Sequence, residues 1–167
     1  MLPKIFKDFT AYADGYGYIG KVPELTPPKI TKKMNEYKAG GMAGTTKVFM
    51  GEVEEMTADM TLEEYSPEML KLWGFTNGKD AAMTFRGAMQ GGGETWPVII
   101  SMRGEYSEMD PGSWKKGDDA KLKVTMVVNY LKITINGEEI TEIDVNNGIL
   151  IVDGNDLRAE INTALGV

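Results

Sequence analysis

The residues that could do chemistry in this chain are few in type. None of its 167 residues is a histidine or a cysteine. Without histidine there is no Ser-His-Asp triad, no imidazole-ligated metal and no use of the commonest general base. Without cysteine there are no disulfides and no thiolate metal sites, which fits synthesis in a reducing cytosol. Carboxylates, lysines, tyrosines and glycine-rich backbone remain. Gly15-Tyr16-Gly17-Tyr18-Ile19-Gly20 matches G-x-G-x-x-G, a pattern that binds a dinucleotide only where it follows a strand and opens a helix. Here Tyr16, Tyr18 and Ile19 favour strand and no helical periodicity follows, so a turn is expected. Gly91-Gly92-Gly93 lacks the Gly-Lys-Ser/Thr of a phosphate loop and also predicts a turn. Asp144-Val145-Asn146-Asn147-Gly148 begins like a calcium loop. Its glycine comes one position early, however, and Asn155 stands where the bidentate glutamate belongs. Glu54-Glu55, Glu63-Glu64 and Glu138-Glu139 are sequence neighbours, and neighbours on a strand point to opposite faces, so they form no facing carboxylate pairs. No catalytic, cofactor or metal site is therefore expected, and an enzyme is the least favoured class.

The stretch that must organise the fold is Ala120 to Asp144. Leu122, Val124, Met126, Val128 and Tyr130 alternate with Lys121, Lys123, Thr125 and Asn129, the period-2 pattern of a half-buried strand. The phase then slips, because Leu131, Ile133 and Ile135 are apolar on the other parity. A β-bulge, a sharp bend or cover on both sides is required between Val127 and Leu131. Asn136-Gly137 predicts a type I′ hairpin, with Glu138 to Asp144 as the returning strand. A long strand that changes its buried face suits a curved sheet or barrel.

Other segments follow the same logic. Asp14-Gly15, between Phe6, Phe9 and Tyr12 on one side and Tyr16, Tyr18 and Ile19 on the other, predicts a first hairpin. Pro27-Pro28 forces extended backbone at an edge or at the start of a strand. Lys29 to Tyr37 reads as a strand polar on both faces, because Ile30 and Met34 share a parity with Lys32 and Glu36. Such a strand is wet or is paired with another chain. Lys38 to Lys47 is a small, flexible loop. Val48 to Tyr65 reads as strand, with Met56, Ala58, Met60 and Leu62 on one face and Glu55, Thr57, Asp59, Thr61 and Glu63 on the other. Ser66-Pro67-Glu68 starts a helix with a capping serine, proline at the first position and an acid in the first turn. Met69, Leu70, Leu72 and Trp73 are its apolar side, and Gly74 stops it. Strands are expected over Ala81–Met89 and Trp96–Tyr106, then a polar loop at Asp110–Asp119 bearing Trp114. Gly148–Val152 is a short strand, and Asn155 is placed as the cap of a final helix carrying Leu157, Ile161 and Leu165. The expected class is mainly β: an antiparallel barrel or sandwich with one or two short flanking helices, formed by one domain over residues 1–167. Twelve methionines suit irregular cores and adaptable contact surfaces.

The net charge of −7 argues against nucleic-acid binding in general, since phosphate contacts need excess Lys and Arg. No apolar run approaches the ~18 residues of a membrane helix, and the N-terminal segment has no signal-peptide core, so no membrane anchor is expected. A flexible Gly/Met loop, a wet strand, a Trp-bearing loop and an acidic strand face are features of a subunit that touches copies of itself.

Taken in order, the motifs Leu25-Thr26-Pro27-Pro28-Lys29, Glu36-Tyr37-Lys38-Ala39-Gly40-Gly41-Met42, Met102-Arg103-Gly104 and Asp110-Pro111-Gly112-Ser113-Trp114-Lys115 resemble a known family. So do Tyr130-Leu131-Lys132, Asn136-Gly137-Glu138-Glu139, Glu142-Ile143-Asp144, Asn147-Gly148 and the terminal Leu165-Gly166. The family is that of the major tail tube proteins of contractile-tailed phages and R-type bacteriocins, and the likeness spans essentially the whole chain. The resemblance implies a barrel subunit whose hexameric rings stack into a hollow tube inside a contractile sheath. Its implied partners are further copies of itself, the sheath, the tape-measure protein, and the baseplate and tail terminator proteins, with DNA only in transit. The implied place is a virion tail or tail-like particle made in the bacterial host cytoplasm. It places Lys38, Ala39, Gly40, Gly41 and Met42 at ring-to-ring stacking. Ile30, Lys32, Met34 and Glu36 become an edge that pairs between subunits, and Trp114 a loop contact. On the tube reading, Glu55, Asp59 and Glu63 are expected to line the bore. Two alternatives stand beside it. One is a type VI-like secretion tube subunit, and the other a ligand-binding β module using Trp114 and Tyr106.

Overall fold

The computed structural model describes residues 2–74 and 80–167. In chain order its first strands are β1 (Ile5–Ala13), β2 (Tyr16–Gly17), β3 (Glu24–Thr26), β4 (Lys32–Tyr37), β5 (Thr46–Val53) and β6 (Met56–Leu62). Helix α1 (Pro67–Leu72) follows, then β7 (Ala81–Gly91), β8 (Glu94–Asp110), β9 (Leu122–Ile135), β10 (Glu138–Asp144), β11 (Ile149–Val152) and β12 (Asn155–Asp156). Helix α2 (Ala159–Leu165) comes last.

Strand β9 is the branch point. One edge pairs with β8 along its length. On the other edge Leu122–Val128 pairs with β6, and Tyr130–Ile135 pairs with β10. Asn129, between the two partners, is the extra residue of a bulge: Arg103 faces Tyr130 while the next residue, Gly104, faces Val128. This is the device the phase slip demanded. The bulge turns the second half of the strand over at the residue where its neighbour changes. Gly104 is required there, since a Cβ at this position would run into the Val127 carbonyl. The Asn129 carbonyl accepts the Val145 N–H at 2.9 Å, so the bulge also ties down the loop after β10.

From β9 the antiparallel order runs through β8, β7 and β1 to β2 on one side and through β10 and β11 to β12 on the other. Residues 16–26 bridge the two free edges. β2 pairs with β1, and the Tyr18 N–H donates to Ala11 O at 3.0 Å. β3 pairs with β6, and the Glu63 N–H donates to Lys21 O at 2.9 Å. The sheet thus curls into a barrel. Met56, Ala58, Met60 and Leu62 of β6 point into it beside Leu122, Val124, Met126 and Val128 of β9, all buried. Each fully buried Leu or Met there contributes about 1.5–3 kcal/mol of transfer free energy.

Turn chemistry matches the residues. Asp14-Gly15, Gly92-Gly93 and Asn136-Gly137 all have positive φ, the left-handed backbone of a type I′ hairpin. The hairpin expected at Asp14-Gly15 therefore forms, although its returning strand is two residues long. Ser66 caps α1, accepting the Met69 N–H at 3.4 Å. Its hydroxyl proton goes to the Glu68 carboxylate at 3.1 Å, which leaves the buried Tyr18 hydroxyl, at 3.0 Å, to donate to the Ser66 oxygen. Hydrogen bonds from backbone and from Ser66 hold the Glu68 carboxyl below its usual range.

Four expectations are corrected. Val48–Tyr65 is not one strand: it breaks at Glu54-Glu55, because the Glu54 N–H still bonds Thr31 O, at 2.8 Å, while Met56 turns into the barrel. The strand expected from Lys29 begins at Lys32, leaving Ile30 outside it. Only Met69 and Leu72 of α1 are buried, and Leu70 and Trp73 face out. Asn155 does not cap the last helix. It pairs with Val152, and its neighbour Asp156 with Ile151, as β12. Ladder hydrogen bonds closed by the left-handed turn at Asp153-Gly154 outcompete the local capping preference, and α2 starts after Arg158 with no side-chain cap.

Candidate assembly surface

The β4–β5 hairpin is largely exposed. It forms a two-stranded sheet of its own, and every residue of β4 is exposed. The expected stacking residues Lys38, Ala39, Gly40, Gly41 and Met42 lie at its tip. There the Met42 N–H closes a turn onto Ala39 O at 3.3 Å, and Gly41 has a φ of 85°. Of the expected edge residues, Lys32, Met34 and Glu36 lie along β4 on one face. Met34 is opposite Phe49, Glu36 is opposite Lys47, and the Lys32 ammonium sits 5.1 Å from the centre of the Phe49 ring. The other face carries Tyr37, Val48 and Met50, which are 54%, 49% and 47% exposed.

The root of this arm is fixed. β5 is irregular between its pairings Lys32–Val53 and Met34–Phe49, and Gly51 inside that irregularity is buried with a φ of 75°. Arg158 donates a guanidinium N–H to the Gly51 carbonyl, and Ile161 packs over Gly51 so closely that a Cβ there would sit 2.5 Å from its Cδ1. Asn162 holds Gly148 O at 2.9 Å, fastening α2 to the turn before β11. The terminal helix is thus a clamp on the arm, and a glycine inside a strand was the only sequence signal for it.

The acidic row is real but interrupted. Asp59 lies in the middle of β6, half-buried, and accepts the Thr125 hydroxyl at 2.7 Å. Glu55 and Glu63 lie just before and just after the strand, both exposed. Cross-strand pairing brings residues the sequence did not single out onto this face. Thr125 stands opposite Glu108, and Lys123 opposite Asp110. Their alternation within β8 was masked by a second irregularity between Tyr106 and Glu108.

Trp114, 82% exposed, sits in the loop between β8 and β9. Its indole N–H donates to the Tyr65 hydroxyl, which in turn donates to Pro111 O at 2.6 Å, so the loop is pinned. Tyr106, its expected partner in a ligand-binding module, is 2% exposed and lies inside the barrel. The two aromatics cannot clasp one ligand. Burial pushes the Tyr106 phenol well above the usual tyrosine range. The glycine pattern at 15–20 opens no helix, and Asp144 uses both carboxylate oxygens on Asn147 as a turn. Among the described residues no cluster of acids is placed to hold a metal ion, and no helix is long and apolar enough to cross a membrane.

The described residues thus form a barrel that projects a clamped, exposed ribbon. Comparison with known proteins makes this specific. The profile of the phage tail tube protein FII family matches residues 3–166. The chain is 31% identical over 170 residues to the "Tail tube protein" of Escherichia phage P2, covering 99% of each. It is 33% identical over 168 residues to the "Major tail tube protein" of Serratia phage KSP20, covering 99% of this chain and 98% of that one. The chain therefore belongs to the phage tail tube protein FII family. Its fold is similar to a chain of the PVC sheath/tube terminator of an extracellular contractile injection system. That match has a TM-score of 0.60 and 12% identity and covers 80% of this chain and 98% of that one. A chain of the PVC sheath-tube complex aligns with a TM-score of 0.56 at 12% identity, covering 75% and 87%.

Proposed function

We propose that this chain, acting as one tube unit over its whole length, is the structural subunit of the inner tube of a contractile phage tail. Six copies close a ring, and rings stack into a hollow conduit inside the sheath. Its chemistry is adhesion between identical copies, with no catalysis. The observation that carries this reading is the β4–β5 arm. An isolated two-stranded ribbon is marginal in water, and one this exposed is built to be covered. Ring closure needs head-to-tail contacts between two different patches of each subunit. The arm edge at Lys32, Met34 and Glu36 supplies backbone groups for pairing with a neighbour, and the tip at Lys38–Met42 reaches the next ring. Glu55, Asp59 and Glu63, joined by Glu108 on the same barrel face, line the bore. Six chains of charge −7 give a ring of about −42, enough to keep transiting DNA from sticking.

Sheath, tape-measure protein, baseplate and tail terminator complete the partner set, in a virion tail assembled in the bacterial cytoplasm. An envelope-puncturing, bacteriocin-like particle or a secretion tube would use the same subunit. Identities near a third to phage tube proteins favour the phage tail over the injection systems, whose likeness at 12% carries the fold alone. Negative-stain microscopy with sedimentation of the concentrated protein tests the class. Rings or hollow tubes are expected, and a lone monomer at every concentration would overturn it.

A further inference from the structure

The charge of the chain is segregated. Residues 29–53, the arm and its approach, hold five lysines and two glutamates. Residues 136–167, which make β10, β11, β12 and α2, hold seven acids and a single base, Arg158. Both segments also leave apolar side chains uncovered. On the arm these are Tyr37, Val48 and Met50, and on the C-terminal lobe Val145, Leu157 and Leu165, the last 65% exposed. Helix α2 buries none of its residues. Two surfaces of opposite charge, each with an uncovered apolar centre, are complementary in both respects that fix an interface.

One chain cannot satisfy itself. The arm is held at its root by Arg158 and Ile161 on Gly51. From there the length of β4 carries the tip about 20 Å from that clamp. We propose that the arm of one copy seats on the C-terminal lobe of a second copy. Lysines at its edge then face the carboxylates, and Tyr37, Val48 and Met50 cover the apolar residues of α2 and the loop after β10. This rests on the tube reading above and names the receiving surface for its arm. The contact is heterologous, so each copy gives an arm and offers a lobe, and the series propagates or closes. Adhesion of this kind weakens as salt screens it.

A charge swap tests it. Lys33 and Lys38 on the arm, and Glu138 and Glu160 on the lobe, are exposed and form no ion pair among the described residues. The K33E/K38E chain and the E138K/E160K chain should each melt like wild type. Each should need at least about tenfold more protein to form sedimentable assemblies. Mixed in equal amounts, each reversed arm meets a reversed lobe, and assembly should return to within about threefold of the wild-type threshold. K33Q/K38Q should fall between wild type and reversal. Either reversal assembling at the wild-type threshold would overturn the proposal, as would a mixture of folded variants that stays dispersed. Wild-type protein that never assembles would instead overturn the tube reading itself.

Discussion

At the residue scale the two large buried tyrosines show how differently one side chain can be treated. Tyr18 spends its hydroxyl on Ser66, which passes the chain of hydrogen bonds to Glu68 and to the first turn of α1. Tyr106 is just as buried, and its hydroxyl has no partner. An orphaned buried hydroxyl costs about 1–3 kcal/mol, so Tyr106→Phe is expected to stabilise the chain by about 1 kcal/mol in chemical denaturation. Alkali should widen the gap. The folded phenol keeps its proton above the ordinary tyrosine value near 10, whereas the unfolded chain loses it there. Above that value the unfolded state binds fewer protons than the folded one, so stability present below about pH 10 falls as pH rises further. Tyr106→Phe removes this contribution and should lose less stability than wild type above pH 10. A variant less stable than wild type, or one with the same alkaline profile, would contradict this account. None of it was legible beforehand. Tyr106 and Trp114 read alike as available aromatics, and only packing puts one inside the barrel and the other on a loop.

At the element scale β9 is where sequence and structure agree most closely. Its alternation, its phase slip and its Asn-Gly turn were all visible, and all three appear where expected. The slip could not reveal its purpose. Asn129 lies where β6 hands over to β10, so the bulge lets one strand serve the barrel and then the C-terminal lobe. Gly104 makes the close approach possible, and Gly104→Ala should cost about 3 kcal/mol, read as a lowered thermal midpoint or loss of soluble protein. An unchanged midpoint would show that the backbone there yields without strain. The final helix is the opposite case. Its apolar spacing of four predicted an amphipathic helix capped by Asn155. The structure gives Asn155 to a ladder, sets Ile161 against Gly51, and leaves Leu157 partly and Leu165 largely uncovered. Helical spacing records which residues share a face, but it does not say whether the cover belongs to the same chain.

For the whole molecule, the arm and the barrel are separable in a testable sense. The barrel core involves no residue of the arm tip, so Gly41→Pro should leave the circular dichroism spectrum and melting of the subunit unchanged. The substitution cannot follow the left-handed φ of 85° at the tip, and proline holds φ near −65°. Tube growth should therefore be shortened or abolished, as measured by microscopy and sedimentation, and tubes of ordinary length would remove the tip from the stacking contact. The sequence alone determined the β class, the hairpin turns, the inward row of β6 and β9, and the want of histidine and cysteine chemistry. All of these are set by alternation, turn residues and composition within short windows of chain. Tertiary structure alone decided that residues 16–26 bridge the barrel edges and that α2, in the acidic C-terminal segment, clamps the basic arm at Gly51. Those outcomes depend on which distant backbone groups meet. Local pattern does not encode that meeting, because the free energy that selects it comes from burial and pairing shared across the whole barrel.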